Sequence, residues 1–204
     1  GISDSDWKEN QTGERGGGIH LGEATVADFS KNMFTANTAS YGGGGISMEQ
    51  SSVTSFLKNS LINNDARTAS LDGLGGGILI ASGSNIHLLA GSSFSGNIAA
   101  VGGGMRCQGG AVIGGLADNI FSNNRAIPGA ISTTAPPAAN TMVDTPLSCA
   151  VAVGGGISAD ACSIGNSTGD IFQNNSAGLR GGGAHLSGGS VLFGVLSHAS
   201  FAFN

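Results

Sequence analysis

Six short stretches of the chain alternate with a period of two, and each opens directly after three glycines. They are Ile19-His20-Leu21, Ile46-Ser47-Met48, Ile78-Leu79-Ile80, Met105-Arg106-Cys107, Ile157-Ser158-Ala159 and Ala184-His185-Leu186. The first and third residues are apolar or small, and the middle one varies. This period reads as a strand with one buried face and the middle residue outward. A further aliphatic residue follows ten or eleven places past the first glycine, at Val26, Val53, Ile86, Val112, Ile164 and Val191. A third short strand leads into an aromatic-x-x-Asn motif. The motif runs Trp7 to Asn10, Phe34 to Asn37, Phe94 to Asn97, Phe121 to Asn124, Phe172 to Asn175 and Phe201 to Asn204, with a leucine variant from Leu61 to Asn64.

The two motifs keep phase. The triplets open at Gly16, Gly43, Gly75, Gly102, Gly154 and Gly181, at spacings of 27, 32, 27, 52 and 27. From each first glycine to the next aromatic residue or leucine is 18 to 20 residues. The unit is therefore 27 residues long, and the departures are local. About five extra residues sit around Thr68–Leu74 and about 25 around Ile127–Val153, both between an Asn motif and the next triplet. Pro136-Pro137 in the longer insertion cannot continue a sheet ladder.

Three strands and three corners per unit predict an all-β fold, one coil of a parallel β-helix per repeat. We expect a single domain over residues 1–204, right-handed by the crossover preference, with about six coils stacked about 4.8 Å apart. The Asn residues 10, 37, 64, 97, 124, 175 and 204 are expected to face inward and pass amide hydrogen bonds along the stack. The Trp7, Phe34, Leu61, Phe94, Phe121, Phe172 and Phe201 side chains should stack beside them. Small residues two places past each Asn (Thr12, Ala39, Ala66, Ala99, Ala126, Ala177) suit a tight corner. A helical solenoid would need a 3.6-residue period, and glycine-rich units oppose helix.

The phased pair of motifs resembles the repeats of chlamydial polymorphic outer-membrane proteins, which combine Gly-Gly-Ala-[Ile/Leu/Val] with Phe-x-x-Asn. The resemblance covers nearly the whole chain, from Trp7 to Asn204. It departs in carrying Gly at the third place of every triplet, and these 204 residues do not include the C-terminal barrel of those proteins. The resemblance implies right-handed β-helices displayed on a cell surface for adhesion rather than catalysis.

Composition narrows the classes. Glycine supplies 37 of 204 residues, without the three-residue period of collagen. Lys plus Arg number 8 against 13 Asp plus Glu, a net charge of −5, which argues against nucleic acid as a partner. No run of 18 apolar residues suggests a membrane-spanning helix. The opening residues do not read as a leader, so any export signal is expected to have been removed.

Candidate sites are few, and we assign no catalytic residue, metal site or cofactor. Of three cysteines, Cys107 falls on an inward position and is expected to be a buried thiol. Cys149 and Cys162 are the preferred disulfide pair, which would pin the insertion; bridges from Cys107 to Cys149 or to Cys162, or no bridge, are the alternatives. His20, His87, His185 and His198 do not cluster and read as surface residues. Asp118 and Asp170 each lie 16 residues past their triplet, but their count back from the Phe differs by one, so they read as solvated corner residues rather than a cation site. Lys31/Lys58 and Asn32/Asn59 stack in register, the latter as a surface amide pair. Asn166 and Asn174 open sequons that would accept glycan in a eukaryotic secretory pathway; Asn10 opens another but is a ladder residue.

The expected function is a non-enzymatic, extracellular structural or adhesive segment of a surface protein or filament. The alternative is a polysaccharide-binding or polysaccharide-cleaving β-helix, which needs several carboxylates and a base on one face. Thirteen acids are scattered instead. Ice binding needs a regular outward row, and the row His20, Ser47, Leu79, Arg106, Ser158, His185 is irregular. The chain opens just before one aromatic-x-x-Asn motif and closes on another. End-to-end self-association, or continuation into a longer β-helix, is therefore expected.

Overall fold

The computed structural model describes residues 1–67, 73–127, 152–192, 196–197, 199–202 and 204. Among them every regular element is a strand and the strands pair in parallel. The chain winds as a parallel solenoid, each strand stacked on its counterpart one repeat later. A six-stranded sheet holds the strands that follow the triplets, from Ile19–Gly22 to Ala184–Ser187. An eight-stranded sheet runs from Ile2–Ser3 and Thr25–Ser30 to Val191–Leu192 and Leu196–Ser197. A seven-stranded sheet holds the aromatic strands, from Asp6–Lys8 to Ser200–Ala202. Like stacks on like: Ile46 pairs with Ile78, Ile78 with Met105, and Phe94 with Phe121. The core is a set of such rows, and Phe29, Phe34, Phe56, Phe94 and Phe121 are fully enclosed.

The corners explain how short strands turn without long loops. Lys31, Lys58, Gly91, Asp118 and Gly169 all hold positive φ, 54° to 69°, and each precedes an inward polar residue. The corner entering the eight-stranded sheet has two lengths. Glu23, Gln50 and Ala161 turn it with one left-handed residue, whereas Ser82-Gly83, Gly109-Gly110 and Gly188-Gly189 use two. The extra residue moves the inward place one step along. Ile113 and Leu192, rather than the recurring aliphatics Val112 and Val191, therefore continue the core row of Val26, Val53, Ile86 and Ile164.

The glycine triplet forms an arch whose three positions meet three different obstacles, as Gly43–Gly45 illustrate. Gly43 has φ +65°, and a Cβ there would lie 2.1 Å from Ile46 O. A Cβ on Gly44 would lie 2.5 Å from Gly76 O and 2.6 Å from Asp65 N. On Gly45 it would lie 2.8 Å from Gly77 O and 3.2 Å from the Asn64 amide carbon. The arch thus packs across the coil on the corner that follows Asn64, backbone against backbone. It also bends over the outer side of the next strand. A Cβ on Gly154 would meet Ser158 Cβ at 2.6 Å, and one on Gly42 would meet Leu79 Cδ2 at 2.6 Å. The middle positions expected outward are accordingly covered: Ser47, Leu79, Arg106 and Ser158 are buried, and only His20 in this row is exposed.

Replacing Gly44 by Ala forces a methyl group into two backbone segments that cannot move independently. It should cost about 3 kcal/mol in a denaturant titration. Gly13→Ala, where a Cβ meets nothing within 4 Å, should leave the midpoint unchanged.

Candidate functional site: stacked ladders and a core disulfide

The amide ladder is built by the arch and the aromatic strand together. Asn64 shows the pattern. Its N–H and Nδ2 both donate to Asn97 Oδ1 at 3.0 Å, and Nδ2 also donates to Phe34 O at 2.9 Å. Its Oδ1 accepts from Asn37 N and Nδ2, at 3.0 Å each. Every polar atom of the amide is occupied, which is what burial requires. The same contacts run from Asn10 through Asn37, Asn64, Asn97, Asn124 and Asn175 to Asn204. Asn10, in the first strand layer described, is exposed rather than enclosed; its Nδ2 still donates to Asn37 at 2.9 Å. Beside the ladder the rings lie nearly parallel. Trp7 and Phe34 are 5.9 Å apart, and Phe94, Phe121, Phe172 and Phe201 follow at 4.6, 4.9 and 4.7 Å. Leu61 separates the two stacks, paired with both Phe34 and Phe94.

A second ladder runs two residues before the first six aromatic or leucine positions, Trp7 to Phe172. It comprises Ser5, Asn32, Asn59, Ser92, Asn119 and Asp170, linked by hydrogen bonds of 2.9 to 3.2 Å. Asn32 and Asn59 are buried in it, not on the surface as expected, because the preceding left-handed residue turns them inward. The readable signal was the polar residue at this place in six of the seven motifs, Ala199 before Phe201 being the exception. Asp170 departs from the solvated reading for the same reason. It is fully buried; Oδ1 accepts from Asn119 N and Nδ2 at 2.9 Å, and Oδ2 accepts from Ser167 Oγ at 2.6 Å. Asp118 lies one place earlier, in the exposed corner. The two carboxylates do not converge.

The cysteine assignment is corrected. Cys107 is not a free thiol: it is bonded to Cys162, with Cα atoms 5.8 Å apart at a sequence separation of 55. Both are buried. Cys107 stacks on Ala159, whose small side chain leaves room for the Cys162 sulfur arriving from the next corner. Nearness along the chain favoured Cys149, but stacking register sets Cys107 beside Cys162. Cys149 lies outside the described residues. The bridge ties together the two coils that flank the long insertion.

The remaining candidates stay apart. Arg106 lies along the six-stranded sheet and donates to Gln108, Ser158 and Asp160 at 3.0, 2.7 and 3.1 Å. Burial pulls its guanidinium below the ordinary value, against the charge and hydrogen bond of Asp160. The Asp65 hydrogen bond and charge raise Arg67. Lys31 and Lys58 are exposed corner residues. His20 and His87 are exposed and His185 is half-buried; His198 lies outside the described residues. Asn166 is exposed on the eight-stranded sheet, and Asn174 is exposed at a corner with φ +53°. Among the described residues no three His, Cys, Asp or Glu side chains converge as metal ligands would, and no helix is long and apolar enough to cross a membrane. Comparison with protein-family models, curated proteins and solved structures finds no match.

Three outcomes follow for equilibrium unfolding. Asn97→Ala strands the Asn64 donors and the Leu61 carbonyl it now satisfies, and should lower stability by about 2–3 kcal/mol. Asp170→Asn should raise it by about 1 kcal/mol. The new amide can donate to the Leu116 carbonyl, as Asn119 donates to Leu89 O at 2.9 Å, and a buried charge is removed. Reduction of the disulfide, or the paired Cys107→Ala and Cys162→Ala change, should cost about 4 kcal/mol by the entropy of a loop this long.

Proposed function

We propose that this chain is a non-enzymatic, extracellular structural or adhesive rod, a segment of a surface protein or filament. In this reading it is a right-handed parallel β-helix of about six coils, with repeats like those of chlamydial polymorphic outer-membrane proteins. The observation that carries it is the disulfide between Cys107 and Cys162, set in the core of a charge-poor stack. Bridges of this kind persist in oxidising compartments. The ladders support the mechanical part. Each coil adds the same amide and ring contacts as the last, so stability is a sum over neighbours and the stack can be long without a central core.

The test is made on intact cells that produce the protein. They are labelled with a membrane-impermeant biotin reagent, then lysed with an alkylating agent present. Biotinylated chain and a Cys107–Cys162 cross-linked peptide are expected. Chain shielded from the reagent and alkylated at both cysteines would overturn the extracellular reading.

A further inference from the structure

Three of the five arginines are paired with acids of the stack: Arg15 with Glu49, Arg67 with Asp65 and Arg106 with Asp160. Acids outnumber bases 13 to 8 in this chain, so an arginine without an acid partner is a departure. Among the described residues Arg125 and Arg180 have none. Arg125 lines a cavity of about 280 Å³ together with Ala126, Ile127, Ser176, Ala177 and Gly178. Arg180 is not among the lining residues.

The cavity sits at the corner that follows the Asn ladder, between two consecutive coils. Arg125 pairs with Ser176 and Ala126 with Ala177 in parallel register. Arg125 and Ser176 are exposed, whereas Ala126 is buried and Ala177 and Ile127 are half-buried. A guanidinium and a hydroxyl therefore stand one coil apart on the rim, above an apolar wall. Backbone contacts fix that wall. Ile127 N donates to Ala99 O at 2.8 Å, Ser176 N to Asn124 O at 2.9 Å and Gly178 N to Ala126 O at 3.1 Å. The glycine arches press on the same segments from inside. A Cβ on Gly103 would lie 2.6 Å from Arg125 N, and one on Gly155 2.5 Å from Ser176 O. The disulfide joins the same two coils.

We infer that this cavity binds a small aliphatic monocarboxylate. The carboxylate lies on Arg125 and Ser176, and the alkyl body lies against Ile127, Ala126 and Ala177. A guanidinium offers a carboxylate two parallel N–H groups, and the hydroxyl adds a third donor. One unpaired cation matches one negative charge, which a phosphate or sulfate exceeds. The apolar wall gives nothing to a bare anion and favours a ligand with an alkyl chain. The cavity is just below the usual size of small-molecule sites, so the chain is short. Because the walls are already in place, little ordering opposes binding.

The test uses the purified full chain, with its amide shifts followed by NMR during titration with isocaproate. Saturable shifts are expected at Ile127, Ser176 and Gly178. Acetate lacks the alkyl body and isocaproamide lacks the charge; each should bind about tenfold more weakly. Arg125→Gln should weaken isocaproate about tenfold. Its unfolding midpoint should be unchanged, because the side chain it alters is exposed and unpaired. Acetate binding as tightly as isocaproate would reveal a general anion contact, and isocaproamide doing so an apolar one; either would overturn the inference. Unchanged affinity in Arg125→Gln would overturn it too, as would the absence of saturable shifts, the result if the chain itself fills the cavity. None of these results alters the outcome of the cell-surface labelling.

Discussion

The contact on which the rest of this molecule depends is backbone against backbone, across the inside of each coil. The second glycine of every triplet faces the corner that follows the Asn of its own repeat, with no room for a methyl group between them. That contact makes the coil thin on this side and sets where the chain must turn. It also brings the Asn amide next to the third glycine, where a buried polar group can be fully satisfied by its stacked neighbours. A methyl group at the third place would require the neighbouring carbonyl to shift.

The same contact explains why the repeat takes its longer insertions at only one side. From triplet to aromatic residue the chain spans the six-stranded sheet, two corners and the core strands, and its length hardly varies. From Asn to the next triplet it returns outside the glycine contact, and both insertions fall there. Across the longer one the two coils still stack: Asn124 donates to Asn175 at 2.9 Å. The disulfide joins the same two coils through the core.

Stacking also distributes polarity in an unusual way. Burying a row of amides is unfavourable for any single residue, but each member supplies the partner the next one needs. Asp170 is the exception that shows the rule, since a carboxylate accepts and cannot pass a hydrogen bond onward.

The sequence alone determined the repeat, the strand class and the two first-order rows. Glycine triplets and aromatic-x-x-Asn motifs are short, local patterns, and their constant separation records a contact between them. The second amide ladder was present in the letters as well, but a lone Ser, Asn or Asp before a strand reads equally well as an exposed turn. Only tertiary structure could decide what depended on register between coils. Cys107 meets Cys162 because Ala159 leaves a space one layer away, whereas chain distance pointed to Cys149. Ile113 replaces Val112 in the core because one corner carries an extra left-handed residue, and a single-residue slip reverses which face a side chain takes. Ser47, Leu79 and Ser158 alternate as outward residues should, yet they are covered because the glycine arch folds over them. Alternation reports which way a side chain points from its own strand, and not what the rest of the chain places above it.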